Sequence, residues 1–195
     1  MGVWKKISKS ILAPIDIYKI EDSNGRFNAA IFTVIICALL GAVLMPVMYY
    51  IFSKDKFQIS LDTMVMIKLF FIGLLSFLGS CMIFVITAKL FKEEVNFKVV
   101  ASYWGISYIP NIVCIILYWT IQTFTFIVNS PIAGFILNTI FIMLLLWKVL
   151  YYFIEMIFVL RLKGKKLYIA TIVTGITLLG LIIINFTVGL QVPMV

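Results

Sequence analysis

Five long apolar segments, separated by short polar stretches, constrain the fold of this chain more than any other feature. They cover residues 29–52, 64–88, 99–121, 132–159 and 168–190. Lipid offers the backbone no hydrogen-bond partner, so a segment of about 20 apolar residues crosses a membrane as a helix that closes its own hydrogen bonds. A transmembrane barrel would instead show alternating strands of about ten residues. The sequence therefore predicts an all-α, polytopic transmembrane bundle of about five helices.

The composition excludes an ordinary water-soluble domain. Of the 195 residues, 64% are apolar and only 12% are charged, and the mean hydropathy is +1.16. Such values lie in the range of membrane proteins. We accordingly divide the chain into an N-terminal segment, residues 1–28, and a five-helix transmembrane domain, residues 29–195.

The N-terminal segment is predicted to be a short amphipathic helix at the membrane interface. Its apolar side chains recur at roughly helical spacing: Val3, Trp4, Ile7, Ile11, Leu12 and Ile15. Lys5, Lys6 and Lys9 lie largely off that face, where ammonium groups can contact anionic lipid headgroups. The alternative is a frayed cytosolic tail.

The distribution of Lys and Arg predicts the orientation in the cell membrane, because these residues resist translocation. The tail carries five, the loop at 89–98 three and the loop at 160–167 four, whereas the loop at 53–63 on the other side carries two. Five spans with a cytoplasmic N-terminus and an extracytoplasmic C-terminus place twelve of these charges on the cytoplasmic side. Arg161, Lys163, Lys165 and Lys166 are therefore further candidate contacts for anionic lipid.

Polar residues inside the apolar segments are the candidate functional residues. Lys148 and Glu155 are seven residues apart, which places them on one face of a helix about two turns apart. Ionisable groups at membrane depth usually face the bundle interior, so the pair indicates an intramembrane polar site together with Asn111 and Asn138. The alternative is that Lys148 and Glu155 snorkel or pair loosely and that the amides only join helices.

Pro110 is a candidate helix kink in the third segment. Its ring and its missing N–H should bend the helix and free the carbonyl of Ile106. Such a bend either forms a cavity or serves packing alone, and both interpretations remain open.

The sequence lacks the motifs of the common catalytic mechanisms. Histidine is absent, and there is no nucleophile elbow, zinc-protease motif, Walker loop or dinucleotide turn. The three cysteines lie inside apolar segments without a CxxC pair. We therefore expect neither an enzyme, nor a cofactor, nor a bound metal. The basic charge belongs to the cytoplasmic loops, so nucleic acid is not an expected partner either.

Three stretches of the chain resemble the Yip1 domain family. They are ILAPIDIYKIEDSNGRF, KLFKEEVNFKVVASYWGISYIPNIV and the span that contains Trp147. The second stretch carries a small-aromatic-Pro pattern, here Ala101, Tyr103, Tyr108 and Pro110. The resemblance covers nearly the whole chain and implies five helices and partners within the membrane, which in eukaryotes include small GTPases. The short N-terminal segment resembles bacterial members of the family.

Two functions from different classes are consistent with the sequence. The first is a non-enzymatic integral membrane protein of Yip1-like type, which organises membranes or binds partners. Those partners would be membrane lipids with anionic headgroups, a membrane protein or a second copy of the chain. The second is a small transporter or substrate-binding membrane subunit, with a polar site around Lys148 and Glu155.

Overall fold

The computed structural model describes residues 23–52, 63–128 and 131–187, and these form helices joined by short loops. The described elements are α1 Ser23–Phe52, α2 Thr63–Leu90, α3 Phe97–Ile106, α4 Tyr108–Val128, α5 Pro131–Ile154, a π-helical turn at Glu155–Val159, and α6 Gly164–Thr187. The described residues contain no strand. The predicted all-α class is therefore confirmed.

Four helical segments are long and apolar enough to cross a membrane, namely Arg26–Leu44, Thr63–Leu90, Phe97–Leu117 and Gly164–Asn185. Their outer surfaces are apolar as well: Ile172, Ile176, Leu179 and Ile183 on α6 are all exposed. Apolar patches of this extent are rare on soluble monomers, whereas a lipid-facing surface requires them. The chain is thus a helical membrane protein with several spans. The predicted N-terminal interfacial helix, including Lys5, Lys6 and Lys9, lies outside the described residues.

A tight reversal connects α2 to α3. Lys92 has a φ of 61°, the left-handed conformation that commonly ends a helix. The Glu93 N–H donates to the Ala88 carbonyl at 3.0 Å, and the Lys92 N–H donates to the Lys89 carbonyl at 3.1 Å. Carbonyl groups in the last turn of α2 thereby gain hydrogen-bond donors. Asn96 then caps α3, because its side chain accepts a hydrogen bond from the Lys98 N–H at 2.9 Å.

Contacts between loops and helix ends gather one set of basic residues at the same end of the bundle. Arg26, near the start of α1, donates to the Tyr103 hydroxyl. The Lys98 ammonium lies 5.5 Å from the centre of the Phe27 ring. Lys166 Nζ lies 3.1 Å from Glu93 Oε1. We call this the basic end, and it comprises Arg26, Lys89, Lys92, Lys98, Arg161, Lys163, Lys165 and Lys166.

Helices α1 and α3 approach closely at Gly105. A Cβ atom added there would lie 2.7 Å from Ala30 Cβ and 3.1 Å from the Ala30 carbonyl oxygen. Both residues are buried. Small residues permit such contact where larger side chains would hold the two backbones apart. This contact fixes α3, and hence the residues that follow Gly105, against α1.

Candidate functional site

The third apolar segment is interrupted at Ser107. Helix α3 ends at Ile106, and the Ser107 N–H and hydroxyl both donate to the Trp104 carbonyl, at 3.1 and 2.6 Å. Pro110 is the third residue of α4. Proline is tolerated in the first turn of a helix, where its missing N–H leaves no hydrogen bond unmade. The interruption therefore lies three residues before Pro110, the residue at which the sequence predicts a kink.

The side chain of Lys148 reaches this interruption from α5. Lys148 Nζ donates to Ser107 Oγ at 3.2 Å. The same nitrogen lies 3.9 Å from the centre of the Tyr108 ring and 4.6 Å from that of Trp104. A cation over an aromatic face is worth about 2 kcal/mol when both are shielded from water. Lys148 is thus held by one hydroxyl and two aromatic faces.

Glu155 lies on the same helix face, where the α-helix widens into the π-helical turn. The Leu160 N–H donates to the Glu155 carbonyl oxygen at 3.0 Å, a hydrogen bond that spans five residues. The Glu155 side chain is fully buried, and neither carboxylate oxygen has a hydrogen-bond partner among the described residues. Lys148 and Glu155 therefore do not form an ion pair with each other, which was one of the alternatives that the sequence allows. Such π-turns occur frequently at functional sites.

Buried side chains surround the two ionisable groups. Tyr151 is fully buried between Lys148 and Glu155 on their helix face. Cys37 of α1 and Cys81 of α2 are also fully buried. We define the polar site as Lys148 on α5 and Glu155 in the π-helical turn, with Trp104 on α3, Ser107 at the interruption and Tyr108 on α4.

The structure separates the two predicted amides. Asn111 is buried on α4, about one turn beyond Ser107. Asn138 is exposed on α5, ten residues before Lys148 and about 15 Å away along the helix axis. The structure therefore brings Asn111 towards the polar site and leaves Asn138 outside it.

A second set of buried polar residues joins α2 to α6. Ser76 Oγ lies 2.7 Å from Asn185 Oδ1, and the hydroxyls of Thr87 and Thr174 are 2.8 Å apart. Tyr152 donates to the Thr171 carbonyl at 2.5 Å, which connects α5 to α6. These hydrogen bonds hold the helices together.

The predicted lipid-contact residues occupy the basic end. Arg161, Lys163 and Lys165 are exposed. Lys166 is also exposed, and its ammonium donates to the Phe91 carbonyl at 3.0 Å as well as to Glu93. The loop before α3 and the loop before α6 thereby form one surface.

The fold and the site define a class, a multi-pass helical membrane protein with a polar site inside the bundle and one basic end. Within the described residues, no group of three His, Cys, Asp or Glu side chains could hold a metal ion. Comparison of the chain with family models, curated proteins and solved structures finds no match.

Proposed function

We propose that the chain is a non-enzymatic, five-span membrane protein of Yip1-like type that organises membranes by binding anionic lipids or protein partners at its basic end. The observation that carries the proposal is the contact of Lys166 with Glu93 and with the Phe91 carbonyl. This contact joins two loops into one charged surface. Each basic residue near an anionic membrane surface contributes about 1 kcal/mol to binding.

The fifth span in this proposal is α5 with its π-helical turn. Together they cover residues 131–159, which is about 40 Å of helix and enough to cross the hydrocarbon core. In this arrangement α1, α3 and α6 run away from the basic end, and α2 and α5 run towards it. The excess of Lys and Arg favours the cytoplasm for this end and an extracytoplasmic C-terminus, in the cell membrane.

Lipid retention tests the leading function. The protein is purified from native membranes in mild detergent, and the retained phospholipids and proteins are quantified by mass spectrometry. We expect Arg161→Gln/Lys163→Gln/Lys165→Gln to lose most of the retained anionic lipid or a stoichiometric protein partner. The matched control removes three charges from the other side of the membrane: Lys54→Gln/Lys56→Gln/Lys68→Gln. Equal retention by both triple variants and the wild type contradicts the proposal.

A second candidate function is a small transporter or a substrate-binding subunit that uses the polar site. The contact of Lys148 with Ser107 at a helix interruption favours it, because binding sites at mid-membrane are commonly formed by discontinuous helices. Lys148 lies about 18 Å along the helix from Leu160, near the middle of the membrane. Solute flux into vesicles tests this candidate. A Lys148→Met variant that transports every tested solute like the wild type removes its support.

A further inference from the structure

Glu155 is the one acidic residue within the five apolar segments. It is fully buried, and among the described residues its two oxygens have no hydrogen-bond donor. Burying an unpaired carboxylate charge in an apolar interior costs far more free energy than burying a neutral polar group. The described residues around Glu155 give a carboxylate anion no hydrogen-bond donor.

Among the described residues of the neighbouring helices, no charged group forms an ion pair with Glu155. The titratable and charged residues on the elements packed against the π-helical turn are Lys98 and Tyr103 on α3, Lys148, Tyr151 and Tyr152 on α5, and Lys165, Lys166 and Tyr168 on α6, and Arg161 follows the turn in the chain. Tyr103 is hydrogen-bonded to Arg26, and the lysines of α3 and α6 are exposed. Arg161, six residues after Glu155, is exposed, and the ammonium of Lys148, seven residues before it, donates to Ser107 instead.

Glu155 lies close to the end of its helix. Glu155 is the first residue of the π-helical turn, which ends at Val159. The helix is capped by Leu160, at the basic end. Five residues of helix correspond to about 8 Å.

We propose that Glu155 is a proton-binding site within the membrane and that the bound proton takes the place of a cationic partner. The carboxylate accepts a proton from hydronium at the basic end, giving the carboxylic acid and water, and the reverse step returns it. The inference goes beyond the second candidate function, because it names the proton as a ligand of the polar site whether or not a solute also crosses.

Labelling with carbodiimides tests the proposal without any transport assay. A protonated carboxyl group in an apolar environment adds across the N=C=N group of dicyclohexylcarbodiimide. The resulting O-acylisourea rearranges to an N-acylurea that retains every atom of both reactants. In reconstituted vesicles we expect this reagent to label Glu155, with less label as the pH is raised. We expect a water-soluble carbodiimide to leave Glu155 unlabelled, and we expect no label on Glu155→Gln.

The same labelling experiment provides the control and the outcomes that would contradict the proposal. Glu94, which is exposed at the basic end, should react only with the water-soluble reagent. The proposal is overturned if Glu155 of the folded wild type stays unlabelled by the apolar reagent at every pH, or if both reagents label it equally. An amide cross-link between Glu155 and Lys148, formed with loss of water, also overturns it, because the lysine would then be the partner of the carboxylate.

Infrared difference spectra of the wild type give an independent reading if the Gln variant does not fold. A carbonyl band of a protonated carboxylic acid that persists above about pH 6, where ordinary exposed carboxyl groups are ionised, and disappears at higher pH supports the proposal. A spectrum with carboxylate bands alone over the whole pH range contradicts it. Failure of the flux assay with successful labelling would refute the transport function and leave the proton site standing.

Discussion

Replacing Gly105 by alanine tests whether α1 and α3 pack as described. The new methyl group would lie 2.7 Å from Ala30 Cβ, whereas carbon atoms in favourable contact are about 3.5–4.0 Å apart. The neighbouring atom belongs to an alanine and cannot rotate away, so the two helices must separate by roughly 1 Å. Overpacking of this kind costs about 1–3 kcal/mol. Since Trp104 and Ser107 flank Gly105, the shift should also weaken the contacts of Lys148.

The assay is unfolding in detergent micelles, followed by loss of helical circular dichroism. Gly180→Ala is the matched control, because nothing lies within 4 Å of a Cβ atom at that position. Alanine there should be neutral or stabilising by up to about 1 kcal/mol, from its helix propensity. The double variant Gly105→Ala/Ala30→Gly removes the closest contact and should recover part of the lost stability. If Gly105→Ala is as stable as Gly180→Ala, the packing described here is wrong.

Three further substitutions test individual contacts by the same unfolding measurement. Lys148→Glu places a carboxylate against two aromatic faces and should destabilise the protein by at least ~2 kcal/mol more than Lys148→Met, and equal stability of the two variants would contradict the cation–aromatic contact. The Thr87→Val and Thr174→Val variants, combined in a double-mutant cycle, should show a coupling free energy of about 0.6 kcal/mol, and a coupling of zero would mean that the two hydroxyls do not interact. Lys92→Gly should stabilise the protein by up to about 1 kcal/mol, because glycine adopts a positive φ without strain, and a loss of stability would argue against the left-handed turn.

The membrane class could be predicted from the sequence because it depends on local composition. An apolar segment of sufficient length crosses lipid as a helix whatever its neighbours are. Lys148 and Glu155 stood out for the same reason, since a charge inside such a segment is visible without knowledge of the fold. Their shared face follows from the helical period alone.

The contacts of Lys148 could not be predicted, because they depend on how helices pack. Ser107 is 41 residues away in sequence. The sequence predicts a kink at Pro110 but not the interruption at Ser107, and no local signal predicts the π-turn at Glu155. Asn111 and Asn138 looked alike, since a helix that is apolar all round does not reveal which side faces the interior. The structure then places one amide inside the bundle and the other on its surface.

The central claim is a five-span protein whose basic end faces the cytoplasm, and labelling of single cysteines in intact cells tests it most directly. In a variant with Cys37, Cys81 and Cys114 replaced by alanine, a cysteine is introduced at Lys54 or at Lys163. An impermeant maleimide is expected to label Lys54→Cys in intact cells and to label Lys163→Cys only after the membrane is permeabilised. Labelling of Lys163→Cys from outside, or of both positions equally, would contradict the account.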